Sequence, residues 1–187
     1  LDTWDVGSVT NMQSMFRDAT SFNQDLSSWN TSSVNAVLGM YYMFGGATTF
    51  NGDITTWDVS NCQSFQGMFL GATSFNQNLG AWDISSGTSI NFGGTAMSIS
   101  SYDATLIGWL DDNGGTETIP SGFTVNASGV FYCASETERQ TLIDTHGWII
   151  NDTGKACPIP NDPTDLFTTE VSPNQINLTW ADNATYE

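Results

Sequence analysis

The chain has 187 residues, 39% of them hydrophobic, which is enough to bury a core and excludes a disordered chain. Its charges are few and one-sided: 20 acidic against 3 basic, a formal net charge of −17. That balance excludes nucleic acid and anionic lipid as partners, and no apolar run reaches the roughly 18 residues a membrane span needs.

Tryptophan sets the organisation. Trp4, Trp29, Trp57 and Trp82 follow one another at 25, 28 and 25 residues. Met15-Phe16, Met43-Phe44 and Met68-Phe69 keep step with them, as do Phe22-Asn23, Phe50-Asn51 and Phe75-Asn76. A fixed period of this length predicts stacked repeats, because one unit buries its apolar face only against its neighbours. Leu1-Asp2-Thr3-Trp4 matches Leu26-Ser27-Ser28-Trp29, so the chain is expected to start inside a repeat, with the true N-terminus upstream.

Within each unit the Trp-x-Val alternation predicts a strand with one buried face. The apolar spacings of 3, 3, 1 and 3 from Val9 to Ala19 predict a short helix capped by Asn11. The second unit carries three extra residues, expected to bulge at Val34-Asn35-Ala36, with Val37 and Met40 back in register. The Gly/Ala/Thr/Ser segment before the second Phe reads as a turn. The Asn after it (Asn23, Asn51, Asn76) is expected to form a ladder onto successive backbones.

After Trp82 the Met-Phe phrase does not return, and 85–98 reads as a degenerate last repeat. Tyr102 to Leu110 predicts an amphipathic helix. Thr124-Val125 and Val130-Phe131-Tyr132 bracket Asn126-Ala127-Ser128-Gly129 like a short hairpin or turn. Ser135 with Glu138 reads as a capping box opening a helix that ends near His146-Gly147, followed by a strand over 148–152. Cys62 stands on the repeat's Val slot and reads as a small buried residue. Cys133 and Cys157, outside the repeats, form the natural disulfide pair, which points to an oxidising, extracytoplasmic location. The domains are therefore expected at 1–98 (repeats), 99–157 (disulfide-bonded α+β cap), 158–163 (a Pro-rich linker) and 164–187.

The phrase shared by the repeats resembles the BspA-type leucine-rich repeat of bacterial surface proteins, over roughly residues 1 to 84. The departures are Thr31 and Cys62 for Val, and the three-residue insert. The resemblance implies a leucine-rich-repeat-like right-handed solenoid, an α/β repeat with a parallel sheet on one face and short helices on the other. It implies a secreted or surface location and a role in adhesion. Beyond the linker, the alternation of Ile176, Leu178 and Trp180 resembles the first two strands of a fibronectin type III domain, here a truncated β-sandwich.

Candidate sites are few. Asp5, Asn30, Asp58 and Asp83 fall one per repeat on the polar side of the expected strand and are the candidate ligand-binding file. They suit a cation such as Ca²⁺, or read as a plain solvated face. Asp25 and Asp53, with Asn78, form a second oxygen file with Ca²⁺ as the candidate metal. The single His146 reads as a helix-end residue, and no nucleophile, phosphate-loop or metalloprotease motif is present. The expected function is a non-catalytic adhesin module. It would bind an extracellular protein, glycan or surface, joined to neighbouring modules of a larger chain. The alternative is an accessory substrate-binding region of a secreted polysaccharide-degrading enzyme.

Overall fold

The structure, a computed structural model, describes residues 4–115, 118–158, 166–172 and 175–180, with side chains described over 4–111 and 118–158. The chain divides into two compact units, Leu1–Ala156 and Cys157–Glu187.

Each repeat is a run of three-residue corner turns. The N–H of Trp57 donates to Ile54 O at 3.2 Å, that of Cys62 to Val59 O at 2.8 Å, Met68 to Phe65 O at 3.0 Å and Phe75 to Ala72 O at 2.9 Å. Both residues of each such pair are buried. This corrects the helix expected over Val9–Ala19. An apolar spacing of three is common to a helical stripe and to successive turns whose first and last side chains point inward. In a helix the N–H groups bond back along the segment itself. Here every second N–H leaves its own repeat. Met12, Ser14, Phe16 and Asp18 donate to the carbonyls of Gly39, Tyr41, Met43 and Gly45 at 2.7 to 2.9 Å. Met40, Tyr42, Phe44 and Gly46 donate likewise to Ser64, Gln66, Met68 and Leu70. Left-handed backbone at Ser14, Asp18 and Tyr42 (φ 56°, 58° and 52°) and at Gly46, Gly67 and Gly71 makes this alternation possible.

The strand expected at Trp-Asp-Val is also replaced by turns, and the strand character lies on the Met-Phe segment instead. Phe65 pairs with Ile90 in an isolated parallel bridge. Ile90 belongs to β1 (Ser89–Asn91), and from there the column becomes a parallel sheet in the order β1-β2-β3. Strand β2 (Thr124–Tyr132) places Val125 beside Ile90, and β3 (Ile149–Lys155) places Ile150 beside Val125. The hairpin expected over 124–132 is thus one strand. Asn126 and Ala127 stay paired with β3, and a bulge follows between Ala127 and Phe131, with Gly129 at φ 90° and its N–H donating to Thr153 Oγ1.

The core is built of aromatic columns. Trp4, Trp29, Trp57 and Trp82 stack at centroid spacings of 6.3, 6.3 and 6.5 Å. Phe16, Phe44, Phe69 and Phe92 stack at 5.6, 6.0 and 5.9 Å. Phe92 therefore restores the Phe column that the loss of Met-Phe seemed to end. The last three Trp are buried, but Trp4, expected in the core, is 52% exposed because its second face has no ring against it among the described residues. The indole N–H groups of Trp57 and Trp82 donate to Leu26 O and Ile54 O at 2.9 and 3.0 Å. Thr31, standing where other units have Val or Ile, donates its hydroxyl to Asp58 O at 2.8 Å and so is satisfied while buried. The Asn ladder is present: Asn23 and Asn51 side-chain carbonyls accept from the N–H of Asn51 and Asn76 at 2.8 Å, and Asn76 from Ser98 at 2.9 Å. The insert emerges later than expected. Val34 is buried, while Val37 and Leu38 are 72% and 42% exposed.

Helix α1 (Ile99–Gly115) follows β1 and buries Tyr102, Leu106 and Trp109. It approaches the fourth repeat closely, since a Cβ on Gly108 would lie 2.6 Å from Gly80 Cα. Helix α2 (Glu136–His146) ends in a left-handed Gly147 whose N–H bonds to Ile143 O, as the sequence predicts. Its start is different. Ser135 makes no side-chain cap; its hydroxyl donates to Asp103 Oδ1 at 2.6 Å. Asp103, buried on α1, accepts the N–H groups of Cys133, Ala134 and Ser135 at 2.8 to 3.2 Å, so α2 is capped from another helix. Cys133 and Cys157 are disulfide-bonded and Cys62 is a free, buried thiol.

In the second unit β4 (Leu166–Ser172) and β5 (Gln175–Trp180) form an antiparallel pair with Leu166 opposite Trp180. The linker expected over 158–163 lies almost wholly outside the described residues. Among the described residues no helix is long and apolar enough to cross a membrane.

Candidate binding surface

The file Asp5, Asn30, Asp58 and Asp83 is brought together, but not as the polar edge of a strand. Each side chain closes a tight turn. Its Oδ1 accepts the N–H two residues on, from Gly7, Ser32, Ser60 and Ser85, at 3.0, 3.2, 3.1 and 2.9 Å. The hydroxyls of Ser32 and Ser60 add a second bond to the same oxygen at 2.7 Å. Asp and Asn share this geometry because both carry a side-chain carbonyl oxygen at the right reach. Successive members are neighbours: a Cβ on Gly7 would meet both Asp5 Oδ1 and Asn30 Nδ2, at 3.2 and 3.5 Å. Asp5, Asn30 and Asp58 are exposed and Asp83 is half-buried. With Oδ1 engaged, a ligand would meet the second heteroatom of each side chain.

Asp25, Asp53 and Asn78 repeat this arrangement one corner away, accepting the N–H of Ser27, Thr55 and Gly80 at 2.8 to 2.9 Å. The hydrogen bond from the Ser27 N–H, joined by the Ser27 hydroxyl, holds the Asp25 carboxyl below the usual carboxylate range. Among the described residues no group of three or more His, Cys, Asp and Glu is placed to hold a metal ion.

A further surface escaped the sequence reading, because the strand was expected on the other segment. The parallel ladder aligns Gln13, Tyr41, Gln66, Asn91, Asn126 and Asn151, one per rung. Asn151 Nδ2 donates to Asn126 Oδ1 at 3.0 Å. Tyr41 lies against Tyr42 with ring centroids 4.6 Å apart at 59°. The Arg17 guanidinium sits 4.9 Å from the Tyr42 ring centroid. The usable signal was the position two before each Met-Phe Met, which holds Gln13, Tyr41 and Gln66 in the three units.

In the C-terminal part Arg139, Asp152 and Tyr102 are committed to structure. Arg139 meets the nearly buried Asp152 through Nε and Nη2 at 2.7 and 3.1 Å. Burial lowers the affinity of Arg139 for its proton, but the hydrogen bonds and charge of Asp152 outweigh this and hold it above the ordinary range. Burial first, and then the Asp152 charge, push the Tyr102 hydroxyl well above its usual value. His146 lies in the last turn of α2, where its carbonyl accepts the Gly122 N–H at 2.9 Å.

These are the features of a tandem-repeat protein whose units hold one another through main-chain ladders and side-chain columns. The chain belongs to the family described as Mycoplasma protein of unknown function, DUF285, whose model matches residues 1–103. No curated protein and no solved structure matches it.

Proposed function

We propose that this chain is a non-catalytic binding module of a secreted or cell-surface bacterial protein, working through the outer faces of a right-handed, BspA-type leucine-rich-repeat solenoid. In this reading residues 1–98 are the repeats, 99–157 their disulfide-bonded cap and 164–187 the start of a fibronectin type III-like module. The observation that carries it is the file of like side chains at Asp5, Asn30, Asp58 and Asp83, held in one pose on successive repeats. A periodic surface of this kind engages an extended protein, glycan or solid ligand at several points at once. The disulfide and the charge of −17 support an oxidising, extracytoplasmic setting. Nucleic acid and membrane insertion have no part in it, and Ca²⁺ is a candidate bridge between the acidic files and an acidic partner.

The test is a screen of the full chain against extracellular-matrix proteins and glycans, with and without Ca²⁺. Asp58→Asn together with Asp83→Asn should preserve the turns, since Asn30 already fills the same role. The double variant should melt as the parent does, while affinity for a cationic or Ca²⁺-bridged partner falls several-fold. Unchanged affinity moves the site elsewhere, and turnover of a polysaccharide or peptide by the chain overturns the non-catalytic reading.

A further inference from the structure

We infer that the outer face of the main-chain ladder is a subsite for an uncharged glycan chain, with Tyr41 as its stacking platform and Tyr42 as the support that holds it. This deepens the binding-module reading and rests on it, but it places the ligand on a different face from the aspartate file.

Two tyrosine rings stand half-exposed where the neighbouring repeats carry Gln13-Ser14 and Gln66-Gly67. Their pose is held in advance. A Cβ on Gly67 would lie 2.5 to 2.7 Å from the Tyr42 ring, so the ring occupies space that opens only because residue 67 is glycine. Arg17 covers the same ring through its guanidinium, and its charge is met by Asp18 at 3.5 Å. Tyr41 packs against Tyr42, and its N–H donates to the carbonyl of Leu38, an exposed apolar residue of the insert, at 3.1 Å. Aromatic side chains already ordered in this way give up little conformational entropy on binding.

On the adjoining rungs the aligned residues are amides: Gln13 on one side, Gln66 and Asn91 on the other. Rungs repeat about every 4.8 Å, comparable with the advance of one sugar ring along a glycan. A pyranose offers an apolar C–H face for a tyrosine ring and hydroxyls that both give and accept hydrogen bonds, which matches an amide's paired donor and acceptor. No member of this column is an acidic or basic residue, in a chain whose net charge is −17. A polyanionic chain would be repelled by the surrounding charge, and Arg17, the cation beside the column, is already met by Asp18, whereas a neutral hydroxylated chain loses nothing by approaching. The occupant is therefore a neutral polysaccharide.

Affinity electrophoresis of the full chain in gels containing hydroxyethylcellulose, xyloglucan, galactomannan or polygalacturonate tests this. At least one neutral polymer should retard the chain, and polygalacturonate should not. Tyr41→Ala and Tyr42→Ala should each weaken retardation at least tenfold, Gln66→Ala several-fold, and Tyr42→Phe little, since the ring remains. Circular dichroism and melting of each variant separate a lost platform from a lost fold, and Tyr42→Phe serves where Tyr42→Ala fails to fold. Retardation by none of the neutral polymers, retardation by polygalacturonate alone, or full retardation of a folded Tyr41→Ala variant overturns the inference. A matrix protein bound through the aspartate file, with no neutral polymer retained, would overturn the glycan subsite while leaving the binding-module reading standing.

Discussion

Cys62 occupies the corner filled by Val9 and Val34 in the first two repeats, fully buried, with its thiol 3.6 Å from Ser64 O. Burial pushes that thiol up to about 11 from its ordinary 9.0. The folded chain therefore keeps this proton at pH values where the unfolded chain has lost it. Its contribution to stability is whole below pH 9 and fades as pH rises toward 11, by roughly 3 kcal/mol in total. Cys62→Val fills the slot with the residue other repeats use and removes that dependence. Urea melts of both proteins at pH 7, 9 and 10.5 should show the variant gaining on the parent only at the alkaline end. The alkaline penalty of the buried Tyr102 hydroxyl acts on both and cancels in the comparison. A constant difference across the series would mean that Cys62 titrates normally.

At the level of elements, α2 depends on α1 for its start. Asp103 accepts three backbone N–H groups and the Ser135 hydroxyl while only 6% exposed, so one carboxylate satisfies donors that a capping box would have met locally. Asp103→Ala orphans all of them at once and should cost about 3 kcal/mol or more. Asp103→Asn, which keeps an acceptor but loses the charge, should fall between. Equilibrium unfolding gives the magnitude. Faster amide exchange at Cys133, Ala134 and Ser135 locates the effect. A loss confined to α2 while α1 and the repeats keep their protection would show that the two helices are less coupled than this contact implies.

Across the whole molecule, stability passes from each repeat to its neighbours. Trp57 is stacked between Trp29 and Trp82, faces Phe44 at 6.2 Å and bonds to Leu26 of the preceding unit. Trp57→Ala removes a ring shared by three repeats and should cost on the order of 3–5 kcal/mol. Exchange protection should fall in the flanking repeats as well as in its own. Damage limited to the third repeat would show that the columns do not transmit stability. The hydrophobic cluster runs unbroken from Val6 to Trp148, so the repeats and the helices after them share one core.

The repeat, its period and the identity of its core columns were legible in the chain, because stacking demands the same side chain at the same place in every unit. So were the Asn ladder, the disulfide partners, α1, and the glycine that ends α2, each of which rests on local chemistry or on repetition. Which segment carries the ladder was not legible. Turns from Met40 to Met43 and from Phe44 to Ala47 space apolar residues by three just as a short helix does. The two differ in where the N–H groups of the residues between go, and that is settled only when the next repeat supplies carbonyls to receive them. For the same reason the Asn126-Ala127-Ser128-Gly129 stretch read as a hairpin or turn, although its strand runs on through a bulge, paired with β1 up to Asn126 and with β3 before and after the bulge. Asp103 and Ser135 lie 32 residues apart, and nothing in the spacing announces that one helix caps the other. Tyr41 and Tyr42 were assigned no role for a similar reason. Their half-exposed, ordered pose depends on the glycine in the adjacent repeat and on Arg17 in the one before, and both reach them only through the stack.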